Sequence, residues 1–216
     1  MSRLVHTTRD HQPYLAPEEL AAALAVCNVR DRALFYTMFE LALRAGEPGM
    51  LRRDAWNPKR REIKVLRLKG SISATRGTTA ALDSILRAWD EVRPASTWLF
   101  PGRDPVGPRG LARDSVRDLW RRAAERAQLS PRAAYVHILK HTRGTLLSSA
   151  GVKREAIAEE MGHKMATSTD RYLKVTEADR AKAQSATENI ASLVLGSGEN
   201  SEDSDKDGRN QGGKHR

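Results

Sequence analysis

Residues 136–175 read VHILKHTRGTLLSSAGVKREAIAEEMGHKMATSTDRYLKV and carry the chain's most distinctive side chains. His137, Lys140 and His141 stand at i, i+3 and i+4, so a helix would place two imidazoles and an ammonium on one face. A second face would be apolar and pack against the core, and it holds Leu139, Leu146 and Ala150. We therefore expect the polar face to point outward, toward a ligand.

The same stretch continues with a turn and a tyrosine. A glycine, Gly162, precedes His163, and a left-handed glycine at the end of a helix would direct that imidazole sharply. Tyr172 follows nine residues later and is one of only four tyrosines in the chain. A tyrosine can serve the core or act as a nucleophile, and the residues around it decide which.

Composition predicts a single folded domain without a membrane span. The chain has 216 residues, of which 39% are hydrophobic and 30% are charged. It holds no apolar run near the roughly 20 residues that a spanning helix needs, and its first residues lack the apolar segment of a secretory signal. The single cysteine, Cys27, rules out an internal disulfide. These features predict a cytoplasmic protein.

The charge of the chain favours a nucleic acid partner. Lysines and arginines number 37 against 27 acidic residues, which gives a net charge of +10. The last twenty residues hold four basic and five acidic side chains, so the positive excess belongs to the rest of the chain. An excess of this size predicts binding to a polyanion such as nucleic acid, although a solvated basic surface would have the same composition.

Periodicity predicts a mainly α fold with a small antiparallel three-stranded sheet. We expect an N-terminal arm over 1–16, one domain over 17–195 and a disordered tail over 196–216, because the tail has few residues to bury. Asn28 can cap a helix whose apolar stripe runs down to Gly46. The predicted strands lie at 55–56, 62–68 and 78–82. Further helices are predicted at 82–92, 114–127 and 177–195.

Three arginines recur at helical spacing before the opening stretch. Arg113, Arg117 and Arg121 lie in i, i+4 register, with Asp114 and Asp118 between them. This pattern is typical of a solvated, salt-bridged face, and it is equally compatible with contacts to a DNA backbone.

Separated pieces of the chain together resemble the tyrosine recombinase family, also called the phage integrase family. Leu43-Arg44-Ala45-Gly46-Glu47 matches the first arginine motif, and the sequence HILKHT over 137–142 matches the His-x-x-Arg motif. Gly162-His163 and then Tyr172 follow in the family's order, and Lys69 lies at the expected strand turn. The resemblance covers about 17–195 and implies the family's catalytic-domain fold. In size the chain is similar to the fimbrial phase-variation recombinases.

The resemblance implies a site-specific recombinase that needs no metal and no cofactor. Tyr172 would attack a DNA phosphate and form a 3′-phosphotyrosine link, and Lys69 would protonate the 5′-oxygen that leaves. His137 would donate a hydrogen bond or accept a proton. Three cationic side chains would hold the phosphate oxygens, namely Arg44, Lys140 and His163. The resemblance further implies a homotetramer on paired DNA sites, a cytoplasmic, bacterial nucleoid-associated location, and integration, excision or inversion as the outcome.

One residue departs from the family pattern. Lys140 stands where the family has its second arginine, and a lysine lacks the planar fork that grips two phosphate oxygens. Arg143 lies about 60° further around the helix and is predicted to bind DNA and compensate in part. The alternative is a non-catalytic DNA-binding regulator on the same scaffold.

Two further hypotheses follow from the side chains alone. His137 and His141 have metal-ligand spacing, and His163 could be a third ligand. However, position 138 is Ile where a zinc protease has glutamate, and Lys140 would repel a cation. At the end of the last helix, an apolar patch could dock into a neighbouring protomer, and it consists of Ile190, Leu193, Val194 and Leu195.

Overall fold

A computed structural model describes residues 6–7, 13–68, 73–162 and 175–196, and these residues form seven α-helices and five short strands. The helices are α1 (Pro17–Ala25), α2 (Val29–Glu40), α3 (Ala80–Val92), α4 (Arg113–Arg126), α5 (Ile138–Ser149), α6 (Arg154–Glu160) and α7 (Glu177–Leu195). The strands are β1 (His6–Thr7), β2 (Pro13–Tyr14), β3 (Trp56–Asn57), β4 (Glu62–Val65) and β5 (Ala74–Gly77).

The predicted fold class, mainly α with a three-stranded antiparallel sheet, is confirmed. Strand β4 lies in the centre, with Ile63 opposite Trp56 of β3 and opposite Arg76 of β5. The predicted third strand at 78–82 is wrong, because β5 ends at Gly77. Instead, the Thr79 hydroxyl accepts a hydrogen bond from the Leu82 amide and caps α3, a role for which threonine is well suited.

Local side-chain bonds set where α2 begins, and tertiary contacts set where it ends. The Asn28 side chain accepts a hydrogen bond of 2.8 Å from the Asp31 amide, as predicted. The helix stops at Glu40, before the predicted Gly46, and Ala42 adopts a φ of 50°. Few residues other than glycine adopt this left-handed conformation, so the surrounding structure must stabilise it.

The hydrophobic core surrounds α2. Every residue from Ala33 to Glu40 is buried, as expected of a helix with neighbours on all sides. The Phe35 ring meets the Trp120 ring of α4 edge to face, with centroids 5.1 Å apart. The Trp120 indole N–H donates to the Ala133 carbonyl at 2.9 Å, so the buried tryptophan keeps its polar atom satisfied.

Helix α7 packs on α1, α3, α5 and α6 of its own chain. Within the predicted docking patch, Ile190 and Val194 are buried and Leu195 packs against the core, whereas Leu193 is 66% exposed. Most of the patch therefore serves packing within the chain. No helix in the described part of the chain has the length and apolar character to cross a membrane.

Candidate functional site

Helix α5 arranges its polar residues differently from the helical-wheel prediction. His137 occupies the N-cap position of the helix without a side-chain capping bond, and its ring meets that of His141 edge to face with centroids 5.6 Å apart. Both imidazoles are half-buried. The prediction that Lys140 shares their outward face is wrong, because Lys140 is only 4% exposed. The predicted apolar position Ala150 is also wrong, because it ends the helix and is exposed.

Lys140 turns inward because the end of α6 provides an acceptor. Its Nζ donates a hydrogen bond of 2.8 Å to the Met161 carbonyl. Burial lowers the pKa of this ammonium to about 8, and the positive charges of Arg44 and Arg67 act in the same direction. Lys140 and Arg44 therefore lie within electrostatic range of each other; that both hold one phosphate stays a prediction.

His137 belongs to the same electrostatic cluster. Burial is the largest cause that lowers the pKa of its imidazole, and the charges of His141, Lys140 and Arg44 lower it further. A histidine whose pKa lies below its ordinary value is neutral at pH 7 and can accept a proton. The structure thus brings together three of the predicted site residues, Arg44, His137 and Lys140.

Arg44 lies on the loop after α2, where Glu47 fixes the backbone. The Glu47 carboxylate accepts a hydrogen bond of 2.8 Å from the Arg44 amide and one of 3.3 Å from its guanidinium. The Arg44 side chain nevertheless stays 32% exposed. The loop therefore presents a cation at the surface while the carboxylate beneath it stays buried.

A second arginine, Arg67, binds the same carboxylate from the opposite side. Its Nη1 lies 3.0 Å from Glu47 Oε2, and the two side chains are 1% and 0% exposed. Burial alone would raise the pKa of the Glu47 carboxyl, but the bonds from the Arg44 amide and Arg67 outweigh burial, so the pKa is lowered. The carboxylate is therefore ionised and paired at neutral pH.

Sequence reasoning missed both members of this ion pair. The first arginine motif includes Glu47 without indicating its partner, and no motif includes Arg67. A signal for Arg67 did exist: Ile63, Val65 and Arg67 alternate along β4 and its extension, and all three are buried. A charged residue that falls on the buried face of a strand requires a buried partner.

Arg143 does not reach the surface. It is 1% exposed, and its Nη2 donates to the Thr187 hydroxyl of α7 at 2.5 Å. The Glu160 carboxylate lies 3.9 Å from the same nitrogen. In this arrangement α7 covers the guanidinium, and the contact of Arg143 with DNA stays a prediction.

The three arginines at the start of α4 are exposed and partly paired. Arg117 bonds Asp114 at 3.3 Å, and Arg121 bonds Glu125 at 3.0 Å, which fits the solvated face described above. Arg113 instead lines a groove of about 580 Å³, together with Leu68 and Trp98. Their contacts with DNA stay a prediction.

Three predicted catalytic residues, Lys69, His163 and Tyr172, lie outside the described residues. Their neighbours in the chain are described: the Leu68 amide donates to Glu47 at 3.2 Å, and Gly162 ends the turn after α6. Within the described ranges, no three His, Cys, Asp or Glu side chains are grouped to hold a metal ion.

Comparisons with known proteins agree with this architecture. The sequence profile of the phage integrase family matches residues 13–179. Tyrosine recombinase XerA of Thermococcus kodakarensis is 29% identical over 186 residues, which are 83% of this chain and 64% of XerA. The integrase/recombinase-named protein y4qK of Sinorhizobium fredii is 26% identical over 162 residues, 74% of this chain and 52% of y4qK. The chain thus spans between half and two thirds of these relatives.

Solved structures share the fold at low sequence identity. The integrase of mycobacterium phage Brujita superposes with a TM-score of 0.64 at 22% identity, over 89% of this chain and 65% of that one. The XerH recombinase bound to its difH substrate gives a TM-score of 0.58 at 19% identity, over 83% of this chain and 52% of XerH.

Proposed function

Because the chain belongs to the phage integrase family, we propose that it is a site-specific DNA recombinase that cleaves and rejoins DNA through a covalent link to Tyr172. The observation that carries this proposal is the cluster of Arg44, Lys140 and His137. These side chains come from two distant segments and lie within electrostatic range of one another. Two cations beside a neutral imidazole suit a reaction that transfers a phosphoryl group.

The proposed step exchanges one phosphodiester bond for another. The Tyr172 phenol oxygen attacks phosphorus, the bond from phosphorus to O5′ breaks, and the 3′-phosphate stays on the tyrosine. The phenol proton passes to His137, and O5′ takes a proton from Lys69. Three cations stabilise the negative charge that builds up on the phosphate oxygens, namely Arg44, Lys140 and His163. A 5′-hydroxyl of another strand then reverses the step, so rejoining needs no further energy source.

One observation favours a second function. The Lys140 side chain is buried, and one of its three N–H groups is bonded to the Met161 carbonyl, so the ammonium must become exposed before it can bind a phosphate. A protein in which it never does so would bind DNA without cutting it. The alternative function is therefore a DNA-binding regulator on a recombinase scaffold.

Double-stranded DNA is the proposed partner under both functions. The net charge of +10 supports it, and the related XerH was solved on a DNA substrate. We propose Arg113, Arg117 and Arg121 as phosphate contacts; Arg117 and Arg121 at present also bind acidic side chains of their own helix. A bacterial nucleoid location follows from the same partner.

Recombination joins two duplexes, so we propose a homotetramer on paired sites. The exposed Leu193 at the end of α7 is the member of the predicted patch that stays available for a neighbour. Native mass spectrometry of the protein on paired sites should count four protomers. Complexes that hold only one protomer per site under cleaving conditions would contradict the tetramer.

Trapping on a nicked suicide substrate tests the cleavage function. After cleavage the 5′-fragment is lost and rejoining is impossible, so the wild-type protein should accumulate as a covalent adduct with DNA. Tyr172→Phe removes the nucleophilic oxygen and should form no adduct while it binds the same DNA. Tyr135→Phe is the matched control, because this exposed tyrosine is not the proposed nucleophile and its loss should leave the adduct intact. DNA binding by wild type without an adduct would favour the regulator.

The pH dependence of cleavage tests the role of Lys140. Its pKa of about 8 lies below the ordinary 10.5, so its charge is present below pH 8 and lost above it. The cleavage rate of the wild type should fall as pH rises through 8. Lys140→Arg should keep its rate to higher pH, because guanidinium does not deprotonate in this range.

The matched control for this profile is Lys64→Arg, the same exchange at an exposed lysine of β4. The charged and titratable groups that act on Lys140 or neighbour it are Arg44, Arg67, Glu47, His137 and His141, and neither exchange changes them. If wild type and Lys140→Arg lose activity at the same pH, Lys140 does not supply the charge that the step needs.

A further inference from the structure

Three cationic side chains bind the end of α6. The last carbonyls of a helix lack partners within the helix and carry its partial negative charge. Here the Glu159 carbonyl accepts from Arg76, the Glu160 carbonyl from Arg67, and the Met161 carbonyl from Lys140. These carbonyls immediately precede Gly162 and the predicted catalytic His163 in the chain.

Arg67 also binds the opposite side of the site. Its Nη1 donates to the Ala42 carbonyl and to Glu47, both at 3.0 Å. Its Nη2 donates to the Leu41 carbonyl at 2.7 Å and to the Glu160 carbonyl at 3.4 Å. One guanidinium thus joins the end of α2, the loop that carries Arg44, and the end of α6.

The glycine after α6 fits against this guanidinium. Gly162 has a φ of 66°, in the left-handed region that disfavours residues with a Cβ. A Cβ at this position would also lie 2.9 Å from Nε of Arg67. Gly162 therefore lets the turn before His163 approach Arg67 closely.

We propose that Arg67 is a positioning residue for strand cleavage, which holds the segments that carry the predicted catalytic residues in one fixed arrangement. This inference rests on the proposed recombinase function. Arg67 fixes the Arg44 loop through Glu47, binds the α6 end ahead of His163, and lies two residues before Lys69. With its side chain 1% exposed, Arg67 does not contact DNA and acts through these neighbours.

The geometry explains why the position holds arginine. Four acceptors in two directions match the planar fork of a guanidinium, whereas the single nitrogen of lysine cannot reach both sides. The charge of Arg67 also lowers the pKa of Lys140. Removing that charge should therefore raise the pKa of Lys140 and extend cleavage to higher pH, an effect that loss of packing alone would not produce.

Single-turnover cleavage of the suicide substrate by Arg67→Met tests the proposal. At saturating DNA the rate should fall by about a hundredfold, the size of effect expected when reacting groups are misplaced. DNA affinity, measured with Tyr172→Phe as the background, should stay unchanged. The remaining activity should persist to higher pH than that of the wild type.

Two further variants separate positioning from stability. Arg53→Met removes a different ion pair, the partly buried one with Asp90, and should lower thermal stability while folded protein cleaves at the wild-type rate. Arg67→Lys keeps the charge and should fold, yet recover only part of the rate, because it cannot bind both sides.

Three outcomes overturn the proposal. The first is wild-type cleavage by folded Arg67→Met or Arg67→Lys. The second is a loss of rate in Arg67→Met that is no larger than its unfolded fraction explains, as expected for Arg53→Met, together with a pH profile like that of the wild type. The third is the absence of any adduct from the wild type, which contradicts the proposed recombinase function itself. This outcome is distinguishable from failure of the Arg67 proposal alone, because it appears before any variant is compared.

Discussion

The buried ion pair between Glu47 and Arg67 is the interaction on which the site depends. Transferring two charges into the interior costs several kcal/mol for each ion and is tolerated only when further hydrogen bonds satisfy both groups. The carboxylate accepts hydrogen bonds from the Arg44 and Leu68 amides, and the guanidinium donates to carbonyls on both sides. The pair therefore connects the loop of the first motif, the strand before Lys69 and the end of α6.

The inward orientation of the Lys140 side chain depends on the same arrangement. The α6 carbonyl that it binds is held next to the carbonyl bound by Arg67, so its inward orientation depends on where α6 ends. Its ammonium donates to that carbonyl without DNA, and its other N–H groups would donate to a phosphate oxygen during cleavage. A lysine at this position carries a charge that depends on pH, whereas an arginine would not.

Patterns that are local in the sequence predicted local structure. Asn28 caps α2 as predicted, because a cap bond spans only three residues. The predicted position of the third strand, 78–82, is wrong because threonine is common both in strands and at helix N-caps. Here the Thr79 hydroxyl accepts a hydrogen bond from the Leu82 amide and caps α3. Arg44 and His137 were brought together as predicted, since the motif order carries information about the whole fold.

Features that depend on packing between distant segments could not be read from periodicity. A helical wheel gives the angle of Lys140 and Arg143 but not what covers them, and here α6 and α7 do so. For Arg67 the strand alternation did indicate burial, but its partner Glu47 lies in another segment. Lys69, His163 and Tyr172 stay predictions from the family resemblance.

A double-mutant cycle on the cleavage step tests the central claim most directly. Single-turnover adduct formation would be compared for Glu47→Gln, Arg67→Met and the double variant. Each single change leaves one buried group without its partner, so the account predicts that the double variant is no slower than the slower single variant. If the two losses of rate multiply instead, Glu47 and Arg67 act independently, and the ion pair does not organise the site.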